Sequence, residues 1–316
     1  MSDILFIKTS SLGDVIHHMP ALTEAQRRLP QARFSWVVEE AFAPLLRLHP
    51  AVAEVIPVAA RRWRRNAFAP RTWGETAGFV RTLRRHHYDE IVDSQGLFFK
   101  SAIVARIARG HRHGYDTASI RERAASMCYD LRHNVACDIH AIARNRTLTG
   151  LVLGYAPDGA IDFGLDRDKL ADRTVGRYGI LLHATARPEK QWSEASWIEL
   201  GQKLRARGAS LVLPWGTDDE RARSERIAAA LPNARVPDRQ PLDRVASLVA
   251  GASFVIGVDT GLAHLAAALG VPLVAIFVGS EPGLTGPMGQ GPIAVVGSGD
   301  KPPTVSAVVG ALDRIR

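Results

Sequence analysis

The sequence predicts an α/β protein built as two doubly wound halves that face each other across a cleft. Three observations carry this. Short apolar runs alternate with stretches of helical period along the whole chain. The alternation breaks once, between Tyr155 and Asp172, where Gly154, Pro157, Gly159 and Gly164 are interleaved with Asp residues. At 316 residues the chain is long for one domain and comfortable for two. Its 46% apolar content supplies sizeable cores and excludes wholesale disorder.

The elements follow in order. Ile4 to Ile7 reads as a buried strand and Thr9 to Asp14 as a small-residue turn. A helix from about Val15 to Leu29 stops at Pro30. Phe34 to Val38 and Val55 to Val58 are strands, Thr72 to His86 a helix, and Glu90 to Asp93 a strand. Gly96 opens a helix through Ile107. After the linker, near residue 160, Tyr178 to His183 is a strand, and Ser193 caps a helix that ends at Gly208. Ser210 to Leu213, Phe254 to Val258 and Leu273 to Val278 are strands. Helices start at Thr217, Pro241 and Thr260, and Thr304 to Arg316 is a final helix. Strand–helix alternation of this kind implies parallel sheets, whose ligands bind at the carboxyl ends of the strands.

Charge is uneven. Residues 1–150 carry 22 basic and 14 acidic side chains, a net +8, whereas residues 151–316 carry 18 of each. The first half is therefore expected to meet an anionic partner. Two cysteines, Cys128 and Cys137, make neither a disulfide framework nor a zinc site, and their scarcity fits a reducing compartment. No signal peptide and no run of about 20 apolar residues is present, so a soluble protein able to sit on a membrane surface is expected.

Common motifs are absent. No G-x-G-x-x-G follows the first strand, and Gly96 to Ser101 lacks the spacing of a phosphate-binding P-loop. Asp166-Arg167-Asp168 matches the D-x-D of metal-dependent sugar transferases but lies in a charged linker, where it reads as a solvated turn. No metal-binding set has suitable spacing, and no metal is expected.

Five segments carry chemistry. In Lys8-Thr9-Ser10-Ser11-Leu12-Gly13-Asp14 a strand enters a turn and a helix leaves it, so Asp14 is either a helix cap or a general base. Arg61-Arg62-Trp63-Arg64-Arg65 reads as an anion-binding loop, extended by Lys100, Arg121, Arg123, Arg144 and Arg146. Val258-Asp259-Thr260-Gly261-Leu262-Ala263-His264 ends a strand and opens a helix whose positive end suits a diphosphate. His183 to Trp192, with Thr185, Ala186 and Lys190, offers a hydroxyl and cations after another strand. In Pro214 to Glu220, Glu220 is either a capping-box residue or an acceptor for sugar hydroxyls. A nucleic-acid surface competes for the basic half, but the scarcity of aromatics among its basic stretches disfavours single-strand stacking.

Together these segments, with Trp36 to Glu40, Asp93-Ser94-Gln95-Gly96-Leu97 and Leu213-Pro214-Trp215-Gly216, resemble the lipopolysaccharide heptosyltransferases along essentially the whole chain. The resemblance implies a GT-B glycosyltransferase of two Rossmann-like domains. Residues 1–160 would bind acceptor and residues 161–303 would bind ADP-heptose, with the helix at 304–316 packing back on the first domain. It implies inverting, metal-independent transfer of L-glycero-D-manno-heptose to the first Kdo of Kdo2-lipid A, at an anionic membrane surface on the cytoplasmic face of the inner membrane. Addition of a second heptose, or use of another ADP-sugar, is the alternative. Carried over onto this sequence, the base falls on Asp14. Donor contacts fall on Thr185, Lys190, Glu220, Asp259, Thr260, Gly261 and His264. Acceptor contacts fall on Ser10, Ser11, Gly13, Arg61, Arg62, Arg64, Lys100 and Arg121. No cofactor beyond the donor and no nucleic-acid partner is implied.

Overall fold

Every strand of both sheets runs parallel to its neighbours. The structure, a computed structural model, describes residues 2–172, 176–185, 187–279, 281–299 and 301–316. It divides into two units, Met1–Gly164 and Leu165–Arg316.

The first unit holds six strands: β1 (Asp3–Ile7), β2 (Arg33–Glu39), β3 (Val52–Val58), β4 (Glu90–Asp93), β5 (His111–Tyr115) and β6 (Leu131–His133). Their spatial order is β3-β2-β1-β4-β5-β6. Ile4, Leu5, Phe6 and Ile7 of β1 are all buried, as a central strand covered on both faces requires. The chain reverses direction across the sheet between β1 and β4, which is where doubly wound folds place their ligands. The helix Leu12–Arg28 buries Val15, Ile16, Met19 and Leu22 against this sheet side and ends on Arg27 and Arg28, which complement its negative end.

The second unit holds β7 (Tyr178–Leu182), β8 (Ser210–Val212), β9 (Phe254–Val258), β10 (Leu273–Ile276) and β11 (Ile293–Val296), in the order β11-β10-β9-β7-β8. Here the reversal falls between β7 and β9, so the segments after these two strands emerge side by side.

Two expectations are corrected. Arg61 to Arg65 is not a loop but most of a helix, Ala60–Arg65. Mutual repulsion among the arginines is offset by carboxylates from other elements: Glu39 accepts the Arg61 N–H at 3.2 Å, and Arg62 is held by Glu40 and Glu75. The helix expected from Gly96 to Ile107 starts with a wider π-type turn, Phe98–Ala102, before Ile103–Ile107. There the Ser101 hydroxyl donates to the Leu97 carbonyl at 3.0 Å. The last helix, Val305–Ile315, contributes to the second unit. Its Val305, Val308, Ala311 and Leu312 are built into the core of the second unit with Leu181, Trp197, Ile256 and Ile276. With its apolar stripe satisfied within its own unit, it behaves as an ordinary covering helix.

Strands β5, β6 and β11 and the helix Ala141–Leu153 were not foreseen. The β5 sequence, His-Arg-His-Gly-Tyr, has no apolar alternation; it is a strand because β4 and β6 supply its backbone partners on both sides.

Leu312→Ala is expected to destabilise the second unit by about 2–5 kcal/mol, the cost of a cavity in a packed core. Urea denaturation followed by tryptophan fluorescence checks this; a loss under about 1 kcal/mol would contradict the packing assigned to the last helix.

Candidate active site

In the first unit the site is assembled by buried polar contacts where β1 and β4 end. Asp93, the last residue of β4, is fully buried. Its Oδ1 accepts the N–H groups of Gln95 at 2.9 Å and Gly96 at 3.2 Å, and its Oδ2 accepts the Tyr129 hydroxyl at 2.7 Å. Burial pushes the Asp93 carboxyl up, and the Tyr129 hydroxyl and the other hydrogen bonds oppose that shift. Gly96 has φ +65, and a Cβ there would lie 2.9 Å from Ile120, so the turn demands glycine. From this turn the side-chain Oε1 of Gln95 accepts the Ser10 N–H at 3.2 Å, tying the two loops together.

Lys8 closes the arrangement from below. Its ammonium is buried and donates to the Ser94 carbonyl at 2.7 Å. Burial lowers its pKa, while the nearby Asp14 and Asp93 charges raise it. Asp14 stands half-buried in the first turn of the Leu12–Arg28 helix. Its Oδ2 accepts the Ser11 N–H at 2.7 Å and the Ser11 hydroxyl at 3.1 Å. The capping reading is thus realised. Both bonds fall on one oxygen, and the cap leaves Oδ1 unused. Cap and base are compatible roles, because the cap fixes the carboxylate that a base would need fixed.

The basic residues are less uniform than their sequence. Arg62 is bound by Glu40 at 3.0 Å and by Glu75 at 2.5 Å, so its charge is largely committed. The Trp63 indole and the Arg62 and Arg71 guanidiniums hold the Glu75 carboxyl down at about 2. Arg146 pairs with the buried Glu24 at 2.8 Å. Arg144 donates to the Ser119 carbonyl at 2.6 Å and lies over the Tyr115 ring. Arg61, Arg64, Lys100, Arg121 and Arg123 are exposed. Arg62 is therefore a brace rather than a free anion grip, since its carboxylate partners are contributed by other elements.

In the second unit the adjacency of β7 and β9 brings two predicted segments together. Thr185 donates to the Asp259 carbonyl at 3.2 Å. The Lys190 ammonium pairs with Oδ2 of Asp259, and His264 Nε2 lies 3.8 Å from Oδ1. Lys190 and Asp259 are mostly shielded from solvent, and His264 is buried. Thr260 precedes the helix Gly261–Ala268 and makes no side-chain cap. The first backbone N–H groups of a helix have no partner within it and carry its positive end. Lys190 and this helix start face a common feature of chemistry: both favour an anion. Ala186, in the same predicted segment as Thr185, lies outside the described residues.

Glu220 follows β8, the strand beyond β7, so it stands apart from Asp259 in strand order. Its Oε2 accepts the N–H groups of Gly216 at 2.7 Å and Thr217 at 3.1 Å, forming the capping box of the helix Asp218–Ala229. Asp166 also caps, accepting from Asp168 and Lys169 at the start of the helix Arg167–Leu170, which accounts for the D-x-D segment. Among the described residues, no group of three or more His, Cys, Asp or Glu side chains is arranged to hold a metal.

Three positioning residues lie outside the site residues chosen from sequence. Asp93 lay in a segment noted only for its resemblance. Tyr129 carried no signal, because its partner is 36 residues away and only the β4–β5–β6 pairing joins them. Arg223 is a third: it donates to the carbonyls of His183 at 2.8 Å and Trp192 at 2.5 Å, bracing both ends of the Thr185–Lys190 segment.

Two doubly wound units with their polar chemistry at the carboxyl edges of parallel sheets define a GT-B glycosyltransferase. Residues 77–308 match the model of glycosyltransferase family 9 (heptosyltransferase). The chain is 45% identical over 289 residues to lipopolysaccharide heptosyltransferase 1 of Pseudomonas aeruginosa, covering 91% of this chain and 81% of that one. It superimposes on E. coli heptosyltransferase WaaC with ADP at a TM-score of 0.93 and 38% identity, covering 99% of this chain and 100% of that one. WaaC with ADP-2-deoxy-2-fluoro heptose gives 0.88 at 38% identity, covering 99% of each. The chain belongs to glycosyltransferase family 9, the heptosyltransferases.

Burial also sets a pH dependence. It lowers the pKa of His183 to about 4, helped by the Arg223 charge, and that of His49 to about 4. An unfolded histidine takes up its proton near pH 6.5. Between that value and about 4 the unfolded chain binds protons that the native one refuses, so stability falls as pH falls. The urea midpoint is expected to drop steadily on going from about pH 7 to about pH 5; a flat profile would contradict the neutral buried state of these rings.

Proposed function

We propose that this heptosyltransferase moves L-glycero-D-manno-heptose from ADP-heptose to the first Kdo of Kdo2-lipid A, in building the lipopolysaccharide inner core. The transfer inverts the anomeric centre and uses no metal ion. It takes place at the cytoplasmic face of the inner membrane, with the protein bound peripherally.

One observation carries the reading. A chain that matches an ADP-bound heptosyltransferase along its length gathers Thr185, Lys190 and the uncapped start of a helix at Thr260–Gly261 on one edge of its second sheet. In this reading the ADP diphosphate lies against that helix start and the Lys190 ammonium. These groups balance the charge of the leaving ADP, a task given to a cation in metal-dependent transferases. Asp259 and His264 orient Lys190, and Glu220 receives hydroxyls of the donor.

Asp14 takes the proton of the attacking Kdo hydroxyl through Oδ1. A carboxylate is a weak base toward a ground-state alcohol, but the hydroxyl becomes acidic as its bond to the anomeric carbon forms. Single displacement on the face opposite ADP then inverts the centre. Ser10, Ser11 and Gly13 line the acceptor's approach, and Arg61, Arg64, Lys100 and Arg121 meet its carboxylates and phosphates. Arg62 acts by holding its helix in place.

Release of ADP from ADP-heptose, with Kdo2-lipid A as acceptor and EDTA present, tests this. The wild type is expected to release ADP only with acceptor. Asp14→Asn is expected to lower kcat by about 10²–10⁴-fold while ADP affinity changes less than about twofold. Full activity in the variant, or dependence on added metal, would refute the mechanism. Lys190→Ala is expected to weaken ADP binding by roughly 10–100-fold, read by calorimetry, because a charge-assisted contact to phosphate is lost; unchanged ADP affinity would remove Lys190 from the donor site.

A further inference from the structure

The first unit carries large apolar side chains that no part of it covers. Phe68 is 94% exposed, Phe99 82%, Met127 72% and Trp73 68%. Phe68 is at the tip of a tight connection between the helices Ala60–Arg65 and Pro70–Leu83, where the Ala69 N–H donates to the Asn66 carbonyl at 3.1 Å. Trp73 follows in the first turn of the second helix. Phe99 lies in the turn after β4, and Met127 in the turn Arg123–Cys128 that leads into β6; these two turns pack together.

The segments with Phe68, Trp73 and Phe99 follow β3 and β4 of one parallel sheet, so they emerge on its carboxyl edge, with the Asp14 turn between them. From β3 to β4 is three strand spacings, about 14 Å at about 4.8 Å each. Cations alternate with the apolar groups: Arg64 and Arg65 precede Phe68, Lys100 follows Phe99, and Arg123 precedes Met127, all exposed. Apolar tips set among cations suit a surface that is anionic at its rim and apolar beneath.

The geometry points to this edge as a membrane-docking surface, with Phe68 and Phe99 entering the acyl boundary of an anionic bilayer and the neighbouring cations resting on its headgroups. The inference deepens the proposed function and rests on it for one point, the lipid anchor of the acceptor. Docking on this edge brings the Asp14 turn to the headgroup layer, so an anchored sugar reaches the base without leaving the membrane.

Vesicle flotation and two acceptors test it, using wild type and a Phe68→Ser/Phe99→Ser double variant. Wild type is expected to float with phosphatidylcholine vesicles containing phosphatidylglycerol, less with phosphatidylcholine alone, and less as salt rises. The double variant is expected to lose about tenfold or more in vesicle affinity, to keep wild-type turnover on deacylated, water-soluble Kdo2 acceptor, and to be slowed on acceptor embedded in vesicles. Unchanged flotation would overturn the inference. So would an equal loss of turnover on the soluble acceptor, which would assign the two side chains to the sugar site. A wild type that binds vesicles through these residues but transfers to neither acceptor would leave the docking surface standing and refute the transfer reading.

Discussion

Parallel pairing makes the strands of a sheet end on a common edge, and most of the chemistry of this chain follows from that constraint. The chain leaves each strand at the same side, and a helix then returns it to the other. The segment after β1 therefore stands beside the segment after β4, and the segment after β7 beside that after β9. Residues separated by 85 positions, such as Ser10 and Gln95, hydrogen-bond because of it. Lys190 and Asp259 meet across 69 positions for the same reason.

The two edges are held in different ways. In the first unit a fully buried carboxylate, Asp93, collects two backbone N–H groups and a tyrosine hydroxyl, and the ammonium of Lys8 sits beneath the same turn. Buried charges are costly unless fully hydrogen-bonded, so each group fixes the geometry of the others. Asp14 inherits this rigidity while remaining half-exposed itself. In the second unit the ion pair of Lys190 and Asp259, with His264 nearby, lies beside a helix start that lacks a side-chain cap. Other helices of the same unit are capped by Ser193, Thr217 and Thr304. An uncapped, positive helix start is the form in which an anion is best received.

Several residues serve structure and chemistry together. Asp14 caps its helix with one carboxylate oxygen and keeps the other out of the cap. Glu220 does the same through Oε2. Arg62 shows the opposite outcome: it stands in the densest cationic run of the chain, yet Glu40 and Glu75 engage it on both sides. Its neighbours Arg61, Arg64 and Arg65 remain exposed.

The sequence by itself determined the class of each main strand, the two-unit α/β plan and the turns that carry polar chemistry. These are local properties: apolar runs, helical period, and Gly, Ser, Thr and Asp at strand–helix junctions. It also left Asp14 and Glu220 each with two readings, because a cap and a functional carboxylate have the same local pattern. Only the tertiary structure decided what lies far apart in sequence. It made β5 a strand by giving a polar segment neighbours on both sides, and it made a helix of the arginine run by bringing Glu39, Glu40 and Glu75 to it. It gave Asp93 the Tyr129 hydroxyl, and it built the last helix into the second unit's core. Each of these depends on which elements become neighbours. That is fixed by the order of strands in the sheets and by burial, which no window of the sequence contains.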